Sequence, residues 1–233
     1  MKPRLVPFII NLYLGLLATL FTSSFLQSQN IPKDEEFEFY REDQIYFGTS
    51  LMLIKSNQED LKARGLPRHF QFGIIRDMPL IKSGKLSTGL GLGISFERFT
   101  TNLIRSASGL YSLDLNNNNI YNPLSISVQS FEIPISIRWR NSSDRDFAFW
   151  RVYGGIKVNW NYQIKAKQNS IFLSIGEELK KFGTNAYLSF GYNTWNFYLS
   201  TPIVSTFDSL NSNQNNSSIK IAPLKVGLIF FIL

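Results

Sequence analysis

Charged residues of both signs recur at two-residue spacing in the middle of this chain. Glu132, Arg138 and Arg140 lie in "FEIPISIRWR", Arg151, Tyr153 and Lys157 in "FWRVYGGIKVNW", and Glu97 ends "LSTGLGLGISFE". Two carboxylates at a suitable separation can hydrolyse a glycoside, one as acid and the other as base or nucleophile. Glu97 and Glu132 are better explained as buried counter-ions to Arg138, Arg140 and Arg151. His69, the single histidine, could be the base of a lipid hydrolase or acyltransferase. That chemistry also needs a nucleophile, an orienting partner and an oxyanion donor close by. His69 opens the run "RHFQFGIIRDM" beside a long polar connection, where a solvated or interfacial place is expected. One histidine and no cysteine supply no metal-ligand set. "GLGLG" lacks the G-x-G-x-x-G spacing and the following helix of a dinucleotide site. No cofactor, no metal and no small-molecule substrate is therefore expected.

The elements that carry these residues alternate with period two. In 86–97, Leu86, Thr88, Leu90, Leu92, Ile94 and Phe96 share one face, and Ser87, Gly89, Gly91, Gly93, Ser95 and Glu97 the other. In 131–140, Phe131, Ile133, Ile135, Ile137 and Trp139 stand against Glu132, Pro134, Ser136, Arg138 and Arg140. Similar runs occupy 44–54, 68–78, 149–160, 185–192, 195–201 and 219–233. Such alternation predicts eight strands, and helical periodicity is weak after the first thirty residues. Long polar connections (55–67, 98–124, 162–184, 202–218) take turns with short ones (79–85, 141–148, 192–195). Long connections on one side and tight turns on the other predict an all-β, eight-stranded antiparallel transmembrane barrel of the outer-membrane type.

Face chemistry separates this from a soluble sheet. Glycines make room on the polar face, and paired charges fill a lumen only just wide enough for side chains. Trp150 and Trp160 bracket ten residues, or roughly 25 Å of height at a ~3.3 Å rise and a tilt near 40°. Together with Trp139 they are expected at the membrane–water interfaces, where an indole is half buried and its N–H stays wet. The terminal run "VGLIFFIL" is apolar, with Ile229, Phe231 and Leu233 on one face.

The first thirty residues have a basic start, an apolar middle and a small, polar end, the layout of a secretory signal peptide. The expected organisation is a cleavable signal peptide over 1–28, a periplasmic segment over 29–43 and the barrel over 44–233. The absence of cysteine excludes disulfides and an acylated lipoprotein anchor. The formal charge of +7 falls to about +5 without Lys2 and Arg4, and no Lys/Arg cluster concentrates it. No nucleic-acid partner is expected. The expected location is the outer membrane of a Gram-negative bacterium, in contact with lipid, with turns and termini periplasmic and long loops extracellular.

"FGIIRDMPL" (72–80) and "FEIPISIRWRNSSDRDFAFWRVYGGIKVNW" (131–160) resemble the PorT family of Bacteroidota outer-membrane proteins, called SprT in gliding flavobacteria. The matching positions are Arg76, Asp77, Glu132, Pro134, Arg138, Trp139, Arg140, Trp150, Arg151, Tyr153, Gly155 and Lys157. The resemblance implies an eight-stranded barrel needed for type IX protein secretion, other secretion-system proteins as partners, and no enzymatic activity. Parity places Glu132, Arg138, Arg140, Arg151, Tyr153 and Lys157 in the lumen as a closing charge network; the competing view makes them a conduction path. The alternative function is a small porin-family or structural barrel with no secretion role.

Overall fold

The computed structural model describes residues 43–106, 109–114, 123–141, 150–173, 175–176, 179–211 and 218–232. The expected signal peptide, the 29–43 segment apart from Asp43, and most of the 141–148 connection lie outside the described residues. Eight long strands carry the alternating runs: β1 (Gln44–Ser56), β2 (Ala63–Pro79), β3 (Leu86–Thr101), β6 (Leu124–Arg140), β7 (Trp150–Gln168), β9 (Phe182–Tyr192), β10 (Trp195–Val204) and β12 (Ser218–Ile232). Four short ones, β4 (Leu103–Arg105), β5 (Tyr111–Leu113), β8 (Ile171–Leu173) and β11 (Phe207–Asn211), lie within the long connections.

Each long strand pairs antiparallel with the next, and β12 pairs with β1, which closes the sheet into an eight-stranded barrel. The register fixes its shape. Followed from pair to pair, with Gly91–Pro134 and Pro202–Pro223 interpolated or extended from adjacent pairs, Gln44 leads through Ile75, Gly91, Pro134, Lys157, Asn185, Pro202 and Pro223 back to Ile54, a stagger of ten residues. For eight strands that stagger gives a tilt of about 40° and a backbone radius of about 8 Å. So narrow a tube is filled by its own side chains. At one end the connections are tight: Tyr192 pairs with Trp195 across Asn193-Thr194. Asn193 there takes φ 54°, a left-handed conformation that asparagine tolerates.

The strands outrun the membrane at the other end, and their hydrophobic phase inverts where they do. On β6 the outward residues from Phe131 to Trp139 are apolar and the inward ones, Glu132 to Arg140, are mostly polar. Further up the same strand Ser125, Ser127 and Gln129 face out, while Leu124, Ile126 and Val128 are buried. β3 inverts at Arg98 and Phe99, the first exposed and the second buried. Lipid outside demands an apolar exterior and leaves the interior polar; water outside reverses both requirements. The inversion therefore marks the upper membrane boundary. It also explains why the strands begin or end beyond the expected limits, as at 124 instead of 131.

Two interior regions follow. Within the membrane span lies a smaller cluster of Tyr46, Ile75, Tyr153, Tyr187, Tyr198, Ile229 and Phe231 among polar groups. Ile229 and Phe231 thus point inward, while Phe230 and Ile232 face out. Above the boundary an apolar core of Met52, Phe99, Ile126, Val128, Phe207 and Ile221, among others, fills the tube. Phe99 meets Phe207 edge to face at 5.2 Å.

Outside, Trp139, Trp150, Tyr192 and Trp195 are exposed near the short-turn end. Trp150 packs on Tyr192 at 5.6 Å and Trp195 on Phe230 at 4.6 Å. Trp160 sits ten residues up β7, stacked on Phe131 at 5.8 Å.

Candidate functional site

Strand parity sends the charged residues into the tube in three tiers. Nearest the short turns, the Asp77 carboxylate serves two arginines. Arg138 Nη1 donates to its Oδ1 at 2.8 Å, and Arg140 Nη1 lies 2.9 Å from its Oδ2. Ser87 Oγ donates to Oδ1 at 2.7 Å. Arg138 also donates to the Gln44 side-chain oxygen, and its guanidinium covers the Tyr153 ring at 4.1 Å. Arg151 is buried in the same tier, directly opposite Arg140 in the β6–β7 register. Arg138 and Arg140 have 0% exposure, so the whole arrangement is desolvated and each charge depends on its partner.

In the middle tier Lys157 Nζ donates to Glu132 Oε2 at 3.3 Å and to the Gln71 side-chain oxygen. Asn159 Nδ2 donates to Glu132 Oε1 at 3.0 Å. Around the ammonium stand the rings of Tyr46, Tyr187 and Tyr198, at 5.3, 5.2 and 5.1 Å. Three aromatic faces toward one buried cation supply part of the stabilisation that water would otherwise give. Glycine makes the tier possible: a Cβ on Gly93 would collide with the Tyr46 hydroxyl and come within 2.8 Å of the Phe72 carbonyl oxygen.

In the upper tier Lys225 pairs with Glu97. His69 is wholly buried there, its ring parallel to Tyr198 at 6.4 Å. A cavity of about 20 Å³ beside Glu97, Lys225, Asn159 and Asn161 has room for about one water. The apolar core begins immediately above, where Val128 pairs with Glu97.

The pairing differs from the sequence expectation. Glu132 answers Lys157, and Glu97 answers Lys225, a residue outside the expected network. A carboxylate that Arg138 and Arg140 share is Asp77, which the sequence marks only through the IRDMP-like segment. Both missed residues carried a parity signal: Asp77 shares the inward face of β2 with Gly73 and Gln71, and Lys225 that of β12 with Gly227 and Ile229. Tyr153 lies inside, against Phe231 at 5.2 Å.

His69 is also placed differently, neither solvated nor interfacial. β2 starts at Ala63, six residues before it, so His69 falls well inside the strand and faces the lumen. Neither ring nitrogen has a hydrogen-bond partner among the described residues, so no nucleophile–base pair forms there. Among the described residues no group of three or more His, Cys, Asp or Glu could hold a metal ion. The described interior charges are three carboxylates (Asp77, Glu97, Glu132) and five cations (Arg138, Arg140, Arg151, Lys157, Lys225). What this arrangement can do is hold the tube's wall together from inside and oppose the passage of solute through it.

Comparison with known proteins agrees with the fold. The model of a family described as the outer membrane protein beta-barrel domain matches residues 26–228. A search of curated proteins finds no match to this chain.

Proposed function

We propose, from the premise that this chain belongs to the outer membrane protein beta-barrel domain family, that it is a closed barrel serving type IX protein secretion in a bacterium of the Bacteroidota. Its place is the outer membrane, which it crosses with strands. It acts on partner proteins through its wall and its long connections, and neither conducts solute nor catalyses a reaction. The long connections face the outside and the tight turns the periplasm.

One observation carries this reading. The two segments that resemble the PorT family supply Glu132, Arg138, Arg140, Arg151, Tyr153 and Lys157, and these six side chains are buried together inside the barrel. A conduction path needs charges that face water; Arg138 and Arg140 face Asp77 instead, and Lys157 faces Glu132, Gln71 and three tyrosine rings. The resemblance supports the step from closed barrel to secretion. Deleting the gene in its own host and assaying culture medium for cargo proteins tests it. Loss of cargo, restored by the wild-type gene, is expected; secretion at the parental level would refute the role.

A further inference from the structure

We infer that the outer wall of strands β2, β3, β6 and β7 binds one phosphorylated glycolipid, its acyl chains in a groove and two phosphates on a row of cations above it. The groove holds about 720 Å³ and is lined by Phe72, Ile74, Leu92, Ile94, Phe131 and Ile133, with Trp160 at its upper edge. That volume suits a lipid-sized ligand, and the lining is almost entirely carbon. One register step above it Phe70 pairs with Phe96, and one step further Arg68 pairs with Arg98. Both arginines are exposed and face outward.

Like charges directly opposite on neighbouring strands destabilise a sheet. Neither Arg68 nor Arg98 has an acidic partner among the described residues, so the pair has its own use for an anion. The row continues through Ser127 to Lys165, also exposed. Arg68 to Lys165 spans three strand spacings, about 14 Å, which suits a headgroup with phosphates on two separate sugars. The row lies where the hydrophobic phase inverts, at the height of lipid headgroups. A phosphate there would meet two forked guanidiniums while its acyl chains lie against carbon. The choice of a glycolipid of the outer leaflet rests on the orientation proposed above. Binding in detergent does not depend on orientation, so a failed secretion assay would leave this site standing.

The test titrates the full chain, purified from membranes and delipidated in detergent, with diphosphoryl lipid A, monophosphoryl lipid A and phosphatidylethanolamine. Native mass spectrometry reports binding, and heat-dependent gel mobility confirms a folded barrel. Diphosphoryl lipid A should bind about tenfold more tightly than the other two, and the double variant Arg68→Gln/Arg98→Gln should abolish that preference. Val158→Trp, or Ile133→Trp if the first does not fold, fills the groove and should weaken the same lipid. Arg76→Gln, at the opposite rim, should change nothing. Inorganic phosphate at millimolar concentration should not displace the lipid; if it does, the row is a free-phosphate site and the lipid assignment fails. Equal binding of the three lipids, or a double variant that binds as wild type does, would overturn the proposal.

Discussion

Asp77 is the point at which the interior is most exposed to a single substitution. One carboxylate answers two arginines, at 2.8 and 2.9 Å, all three side chains having 0% exposure. Asp77→Asn preserves the shape and removes the charge, leaving two guanidiniums buried beside a neutral amide. Breaking a buried ion pair by removing one partner costs roughly 3–5 kcal/mol. Two cations lose a carboxylate here, but Arg140 keeps a further contact, and Gln44 and the Tyr153 ring still hold Arg138. The expected loss is therefore mid-range, about 4 kcal/mol, or nearly a thousandfold in the folding equilibrium. Urea unfolding of the barrel in lipid vesicles measures it, with tryptophan fluorescence as the probe. Replacing the cluster by carbon, as in Asp77→Leu/Arg138→Met/Arg140→Met, should recover most of the loss, because the two arginines that lost the carboxylate are removed with it. A loss below about 1 kcal/mol for Asp77→Asn would refute the claim that these charges depend on one another.

Three further perturbations follow from the same interior. Lys157→Met should cost about 3 kcal/mol by stranding Glu132, and adding Glu132→Gln should return most of it; an additive double variant in the urea titration would contradict the pairing. Gly93→Val should cost roughly 1–3 kcal/mol through the clash with Tyr46, and Tyr46→Phe, which removes the hydroxyl in the way, should soften the effect in the same assay. Ile126→Ala should cost about 2–5 kcal/mol although Ile126 lies above the lipid, since its side chain is wholly buried in the upper core; a change near zero would show that this core does not support the barrel.

The eight strands were legible because lipid forces a clean period-two pattern, as from Phe131 to Trp139, and the alternation of connections gave the barrel's two ends. Strand ends were less legible for a physical reason. At Val128 and Gln129 the apolar residues change face while the strand continues, so a search for one unbroken phase stops there. The same effect misplaced His69: residues 63–67, which carry β2 past it, lack the outward apolar pattern of the lipid zone. Parity sufficed to send Arg138, Arg140, Arg151 and Lys157 to one face. Their partners were not legible, since which carboxylate meets which cation depends on the ten-residue stagger and on register across the tube. Asp77 reaches Arg138 from two strands away, and Lys225 reaches Glu97 across 128 positions of sequence. The upper core was foreshadowed only by Leu124, Ile126 and Val128, at and just past the end of the 98–124 connection and before the run that opens at Phe131.

The central claim is that the lumen is closed by its own side chains. Planar-bilayer recording of the purified full chain tests it most directly. A silent membrane is expected across the accessible voltage range, with current appearing, if at all, only in variants such as Asp77→Ala/Arg138→Ala/Arg140→Ala that remove the lower tier. Steady, ohmic open channels from the wild-type protein would contradict it.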